Sequence, residues 1–433
     1  MLPLTVRQRH DSRRNMFHAS MVWAVGNAMA SGLVVFYLAA ALGVPSGLAT
    51  AMIFASPSLA GILRCFAPVL LDRFPHKKQF CVTANFTQIA FLIAMVGITR
   101  PGVLSNPTAI TLLVTFWCAA NLCEHLSWIS LLAWYGEIFP ERTRGRFFGK
   151  LERRRLIGEV AGLLLSIGLA TLARHFLPAT FPKYAIYSAI LLLGTLFLAG
   201  SPYFLLRAAT VSRSVAVFPS WAERVRQLRA PFLSRRYRPL LAYGAFFSFF
   251  VQLEQVSQQQ FPKTLLVAGF AFLVTTSFRL ITKLGQAAVG PFCGRWLDRH
   301  GTVRVLLLSQ LLTAAAPLFY LVASPSCWWL MYGAPVFWIA YVGLNVGLPQ
   351  VQLQLADSQD TPPWIAAYGL TCGVFAFAGV LTGGILFDRF HTLPLFYPAI
   401  FAFSCLTRLT AAGLLLWVVL PSHAGQAGQS GVK

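Results

Sequence analysis

Gly294-Arg295-Trp296-Leu297-Asp298-Arg299-His300-Gly301, with Arg304 close behind, stands between two long apolar stretches. Leu71-Asp72-Arg73-Phe74-Pro75-His76-Lys77-Lys78 holds the same position nearer the start of the chain, and the two Asp-Arg pairs lie 226 positions apart in 433 residues. A charged turn repeated at half-chain spacing between apolar segments is the mark of a duplicated unit.

The flanking stretches define that unit. The chain is 57% hydrophobic and 11% charged, where soluble domains carry roughly a quarter of their residues as charged types. Apolar runs of about 20 residues recur, the length a helix needs to cross a hydrocarbon layer about 30 Å thick. Backbone groups in lipid must be paired within the segment, so each run is predicted helical. The first half reads as helices over 16–41, 46–70, 80–99, 108–134, 155–176 and 184–206. The second reads as 239–261, 264–290, 303–323, 327–349, 364–387 and 394–420. The fold class is therefore all-α integral membrane: twelve transmembrane helices in two pseudo-symmetric six-helix bundles, 16–206 and 239–420. A cytoplasmic N-terminus (1–15), a basic amphipathic loop (207–238) and a cytoplasmic tail (421–433) complete the division.

The formal charge of +22 invites a nucleic-acid reading, but the basic residues sit between apolar segments and not on one water-facing surface, and no nucleic-acid partner is expected. Of the 35 Lys and Arg, 26 fall in loops on one side of the predicted topology and 5 on the other. Positive residues accumulate in short cytoplasmic loops, so both termini are expected in the cytoplasm of a multi-pass protein of the cytoplasmic (inner) membrane. The loop 207–238 has eight Arg and one Glu, with Trp221, Val225, Leu228 and Phe232 at helical spacing. That pattern predicts a helix lying on the anionic inner leaflet. The eight cysteines are scattered singly, without a C-x-x-C pair, and neither metal nor cofactor is expected.

The repeated turn resembles the signature of the major facilitator superfamily, in its bacterial form: Gly-x-x-x-Asp-Arg-x-Gly with basic residues following, after helices 2 and 8. The second copy matches through Gly294, Asp298, Arg299, Gly301 and Arg304; the first keeps Asp72, Arg73, Lys77 and Lys78 but has Pro68 and Pro75 where the family has glycines. Pro140-Glu141-Arg142-Thr143-Arg144-Gly145-Arg146 and Gly383-Gly384-Ile385-Leu386-Phe387-Asp388 also look like the family. The resemblance spans 16–420 and implies two bundles rocking about a midplane site, with the signature residues latching the cytoplasmic gate. An aspartate at a helix end can pair with arginines and meet the positive end of a neighbouring helix, which gives such a latch a physical basis. Helix 4 lacks the R-x-x-Q-G pattern and helix 5 lacks a Gly-Pro pair, which argues against a multidrug exporter.

A charge near the bilayer centre costs at least about 2.5 kcal/mol, so every such residue needs a partner or a wet cavity. On helix 8, Thr275, Thr276, Arg279, Thr282, Lys283 and Gln286 make one polar stripe, expected to line a cavity, and an anion would relieve the repulsion between Arg279 and Lys283. The alternative is pairing with Glu254 or Glu124. On helix 4, Trp117, Asn121, Glu124 and Trp128 share a face, with His125 on another. A carboxylate removed from water holds its proton more readily, making Glu124 the first candidate for proton coupling. Helix 7 carries Gln252, Glu254, Gln255 and a further run of polar residues to Gln260, too polar to face lipid at that depth; it is expected to line water or protein and is a candidate outer gate that unwinds. Arg408, in mid-helix 12, calls for a carboxylate or backbone partner. Trp23 and Asn27 on helix 1, and Trp338, Tyr341 and Asn345 on helix 10, suit a polar organic solute. Glu159, four residues after Arg155, is read as its local ion-pair partner.

These features favour a monomeric secondary transporter, symporter or antiporter, moving a small polar solute by alternating access with proton coupling; an anion is the class Arg279 and Lys283 favour. A receptor or assembly factor on the same scaffold, without transport, is the alternative. A lipid enzyme would need a nucleophile, base or metal cluster, and no H-E-x-x-H or G-x-S-x-G occurs.

Overall fold

A computed structural model describes residues 5–43, 46–62, 77–100, 102–138, 141–178, 180–209, 221–356 and 361–427. The order is α1 (Val6–Met29), α2 (Gly32–Leu42), α3 (Gly47–Ile62), α4 (Lys77–Ile98), α5 (Asn106–Ile138), α6 (Glu141–Phe176), α7 (Lys183–Leu206), α8 (Trp221–Leu233) and α9 (Arg238–Leu253). It continues with α10 (Gln255–Leu265), α11 (Ala268–His300), α12 (Thr302–Ala315), α13 (Leu318–Leu321), a 3-10 turn (Trp328–Tyr332), α14 (Gly333–Trp338), α15 (Tyr341–Leu355), α16 (Thr361–Phe390) and α17 (Phe396–Ala427). No strand occurs among the described residues.

All twelve expected segments carry helix, and among the described residues nine helices are long and apolar enough to cross a membrane. The three expected segments that fall short do so for visible reasons. The second is described only to Ile62, the seventh is broken at Glu254, and the eighth carries Arg279 and Lys283. Several helices outrun the apolar core. The segments at 142–155 and 291–300, expected as loops, continue α6 and α11, because Lys and Arg are good helix formers once the backbone reaches water. Residues 1–15 are likewise helical from Val6: Gln8 N donates to Thr5 Oγ1 at 3.2 Å and Thr5 N to Gln8 Oε1 at 3.0 Å, a capping box.

Contacts group the chain into two compact units, Met1–Phe218 with Ala268–Leu280, and Pro219–Val267 with Ile281–Lys433. The expected bundle boundaries put 264–290 wholly in the second half, whereas its first part packs in unit 1: Phe272 stacks edge-on against Tyr37 and Tyr187, with centroids 5.2 Å away in each case. Thr275 Oγ1 lies 3.4 Å from Tyr37 Oη.

Inside unit 1 the helices approach to backbone contact. A Cβ on Gly158 would meet Met21 O, one on Gly162 would meet Val25 O, and one on Gly26 would come within 2.6 Å of Gly194 O. Lipid provides no hydrophobic force between helices, so such small-residue seams carry the van der Waals packing. In unit 2, Gly379 and Gly383 of α16 face the Phe249 and Leu253 carbonyls of α9 in the same way. Gly162→Ala is expected to force α1 and α6 apart at a cost of about 1–3 kcal/mol, read as a lower unfolding midpoint in detergent; an unchanged midpoint would show that the seam yields.

Candidate functional site

The N-terminal unit holds a pocket of about 100 Å³ lined by α1, α4, α5, α6 and α7. Trp23, Asn85, Glu124, His125, Trp128 and Arg155 supply its chemistry, with Ser127 and Ser201 among its other linings. The Arg155 guanidinium lies 5.0 Å from the Trp23 ring centroid and 5.6 Å from that of Trp128, within cation–π range of both. Its Nε is 3.3 Å from Glu159 Oε1, and Nη1 is 3.9 Å from Glu152 Oε2. Nε is buried without a hydrogen bond of ordinary geometry among the described residues, while the side chain as a whole stays 29% exposed. Gln88 Nε2 donates to Glu124 Oε2 at 3.3 Å, fixing the carboxylate on the pocket wall.

Only part of the expected helix 4 face reaches this pocket. Trp117 donates its indole N–H to Ile53 O at 2.8 Å, and Asn121 donates to Trp117 O at 2.9 Å. Those two positions thus serve packing, while Glu124 and Trp128 line the space. His125, expected on another face as an interhelical group, lines the pocket as well, and its Nδ1 sits 2.9 Å from Asn121 O of its own helix. Trp23 reaches the pocket from α1, while Asn27, one turn on, is half-buried and absent from the lining.

The second unit contains a buried charge pair. Glu254 is 0% and Arg408 2% exposed, and Arg408 Nη2 donates to Glu254 Oε1. Arg408 Nη1 donates to Tyr341 Oη at 2.6 Å and its Nε to Ser404 Oγ at 3.2 Å; Gln258 Nε2 donates to Glu254 Oε1 at 2.5 Å. Glu254 Oε2 is buried without a hydrogen bond. Glu254 is the single residue that interrupts α9 and α10, and Gln258 N returns to Glu254 O at 2.9 Å, so the helix resumes at once. Residues 255–260 are helical and not unwound, and Ser257, Gln258 and Gln260 are buried, so the polar run lines protein, one of the two surroundings expected for it. The pairing of Arg279 and Lys283 with Glu254 is replaced by Arg408.

The helix 8 stripe divides. Thr275 and Thr276 donate to Ala271 O and Phe272 O, while Thr282 donates to Pro335 O and Gln286 to Trp338 O, both at 3.3 Å. Arg279 is exposed and Lys283 is half-buried. Gln252 and Gln255 are half-buried on either side of the break, and Asn345 is exposed on α15. Of the gate signature, Asp72 and Arg73 lie outside the described residues, and of Gly294 and Asp298 only the backbone is described. Arg299 and Arg304 are exposed, and Gly301 takes φ +81° between α11 and α12, a left-handed turn that explains a glycine there. Lys77 opens α4, and its carbonyl accepts from Ser130 Oγ at 2.7 Å. Lys78 donates to Leu206 O and Ala208 O, both at 2.7 Å, so it staples α4 to the end of α7.

No family model matches the chain, and no curated protein matches it. Solved structures do. The nucleoside transporter NupG superposes with TM-score 0.69 at 12% identity over 96% of this chain and 99% of its own. It has the major facilitator fold. A peptide transporter POT in complex with sulfate gives 0.68 at 14% identity, covering 95% of this chain and 94% of that one. A bacterial homologue of the iron transporter ferroportin in an inward-facing state gives 0.68 at 14% identity, covering 96% and 99%. All three are transporters, and the likeness to each runs nearly end to end.

Arg155 was the residue missed as a site group. It ends a run of three arginines, Arg153 to Arg155, that reads as loop charge; only the i+4 relation to Glu159 hinted that it turns inward.

Proposed function

We propose that the protein is a secondary active transporter of the cytoplasmic membrane that moves a small polar organic solute by alternating access, coupled to protons, with an anion as the class that best fits Arg155. The observation that carries this reading is the pocket in which Trp23 and Trp128 hold the Arg155 guanidinium in the company of Glu124. Aromatic faces, one cation and one carboxylate are the equipment for orienting a planar polar solute and exchanging a proton beside it. The fold supports the class, since the similar structures are named for nucleoside, peptide and iron transport. In this reading Glu124 takes and releases the proton, Arg155 and Arg279 attract the solute, Asp298 and Arg299 belong to the gate, and the protein works as a monomer with both termini in the cytoplasm. The helix within 207–238 rests on anionic lipid.

Proteoliposome uptake tests the proposal. An inward proton gradient is expected to drive accumulation of at least one organic anion from a panel of aromatic, heterocyclic and peptide carboxylates. Glu124→Gln is expected to abolish accumulation against a gradient while keeping solute exchange at equilibrium. Folded protein that carries neither solute nor protons across the whole panel would overturn the reading in favour of a scaffold without transport.

A further inference from the structure

We propose that the second unit binds one anionic phospholipid, its acyl chain in a cleft between α11, α12 and the α14–α15 region and its phosphate on Arg295 and Arg299. The cleft has a volume of about 520 Å³ and belongs to neither the Arg155 pocket nor the Glu254–Arg408 pair. Its walls are apolar and open outward: Phe292 is 63%, Trp296 45%, Leu308 38% and Leu312 37% exposed. A membrane protein shows many apolar side chains to lipid, but those form a convex surface, and this one is concave.

Length and charge identify the occupant. The α11 lining runs from Val289 to Arg299, a rise of about 15 Å at 1.5 Å per residue, of which about 9 Å lies below Arg295; that takes the upper part of an acyl chain in a leaflet about 15 Å deep. Both arginines sit at one end of the run, where α11 gives way to Gly301, and both are exposed. The Arg295 guanidinium lies 4.7 Å from the Phe292 ring centroid, so the cation rests on the cleft wall by a cation–π contact. Trp296 is an aromatic at the same level, stacked edge-on with His300 at 5.7 Å, as expected of a side chain at the membrane–water boundary. A basic mouth over an apolar slot matches a phosphate esterified to an acyl chain, and a soluble anion would leave the slot empty.

Native mass spectrometry of the detergent-purified chain, supplied with phosphatidylglycerol or phosphatidylcholine, reads the proposal directly. One phosphatidylglycerol is expected to be retained at collision energies that strip phosphatidylcholine. Arg295→Gln combined with Arg299→Gln is expected to weaken its retention roughly thirtyfold, since each basic side chain near an anionic lipid surface contributes on the order of 1 kcal/mol. Leu308→Trp, which fills the slot and leaves both arginines, is expected to do the same. Glycerol phosphate, a head group without a chain, should not compete. Equal retention of the two lipids, loss of lipid to glycerol phosphate, or retention unchanged in the arginine pair would each overturn the site. The arginine pair is exposed, so its unfolding midpoint serves as the folding control if Leu308→Trp fails to accumulate.

Discussion

Arg408→Leu is expected to destabilise the protein by about 3–5 kcal/mol, the range for removing one partner of a buried ion pair. The size of the effect follows from what is left behind. Glu254 is fully buried and one of its oxygens already lacks a hydrogen bond, so loss of the guanidinium would strand a carboxylate with Gln258 as its remaining donor. Tyr341 Oη and Ser404 Oγ would lose their donors in the same step. Glu254→Gln is a milder change, because an amide keeps the volume and Arg408 keeps Tyr341 and Ser404. The double variant should be less destabilised than the sum of the singles, since neither partner is then an uncompensated charge. Thermal or denaturant unfolding in detergent measures all three. Strict additivity, or an Arg408→Leu midpoint equal to wild type, would show that the carboxylate finds another partner. The pair ties the broken seventh segment to α17.

How far the sequence reached is clearest from that pair. Segment positions were legible because about 20 apolar residues in a row report membrane thickness directly, with no tertiary information needed. Arg408 was legible as a residue that needed a carboxylate, for the same energetic reason. Which carboxylate was not, because Glu254 lies 154 positions away and its fitness depends on the one-residue break that brings it to α17. Nor was that break: a polar run in a membrane helix is compatible with unwinding or with burial, and the choice is made by partners such as Gln258. The pocket was half legible. Trp23, Glu124 and Trp128 announce themselves as polar or aromatic interruptions of apolar helices. Asn85, Gln88 and Ser201 look like ordinary interhelical polar groups until α4 is seen to close on both α5 and α7, and Arg155 hides in a basic run that topology alone explains.

Arg155→Gln is expected to cost transport of an anionic solute about 10–100-fold in apparent affinity, because a hydrogen bond to a charged group is worth about 1.5–3 kcal/mol and every 1.4 kcal/mol is tenfold. Controls separate binding from support of the fold. Glu159→Gln removes the ion pair at 3.3 Å yet leaves the guanidinium between its two indoles, so a supporting role would make the two variants alike in stability and in flux. A binding role would leave Glu159→Gln able to take the anion. Arg155→Lys keeps the charge but loses the planar fork and the stacking, and it should fall between wild type and Arg155→Gln. Trp23→Ala removes one stacking face and should raise the half-saturating concentration by a few-fold, in line with cation–π contributions of about 0.5–1 kcal/mol at partly exposed sites. Uptake in proteoliposomes, repeated with a neutral analogue of the same solute, gives the deciding comparison: loss for the anion with the neutral analogue spared places the charge of Arg155 on the substrate, and equal loss for both would return it to the scaffold.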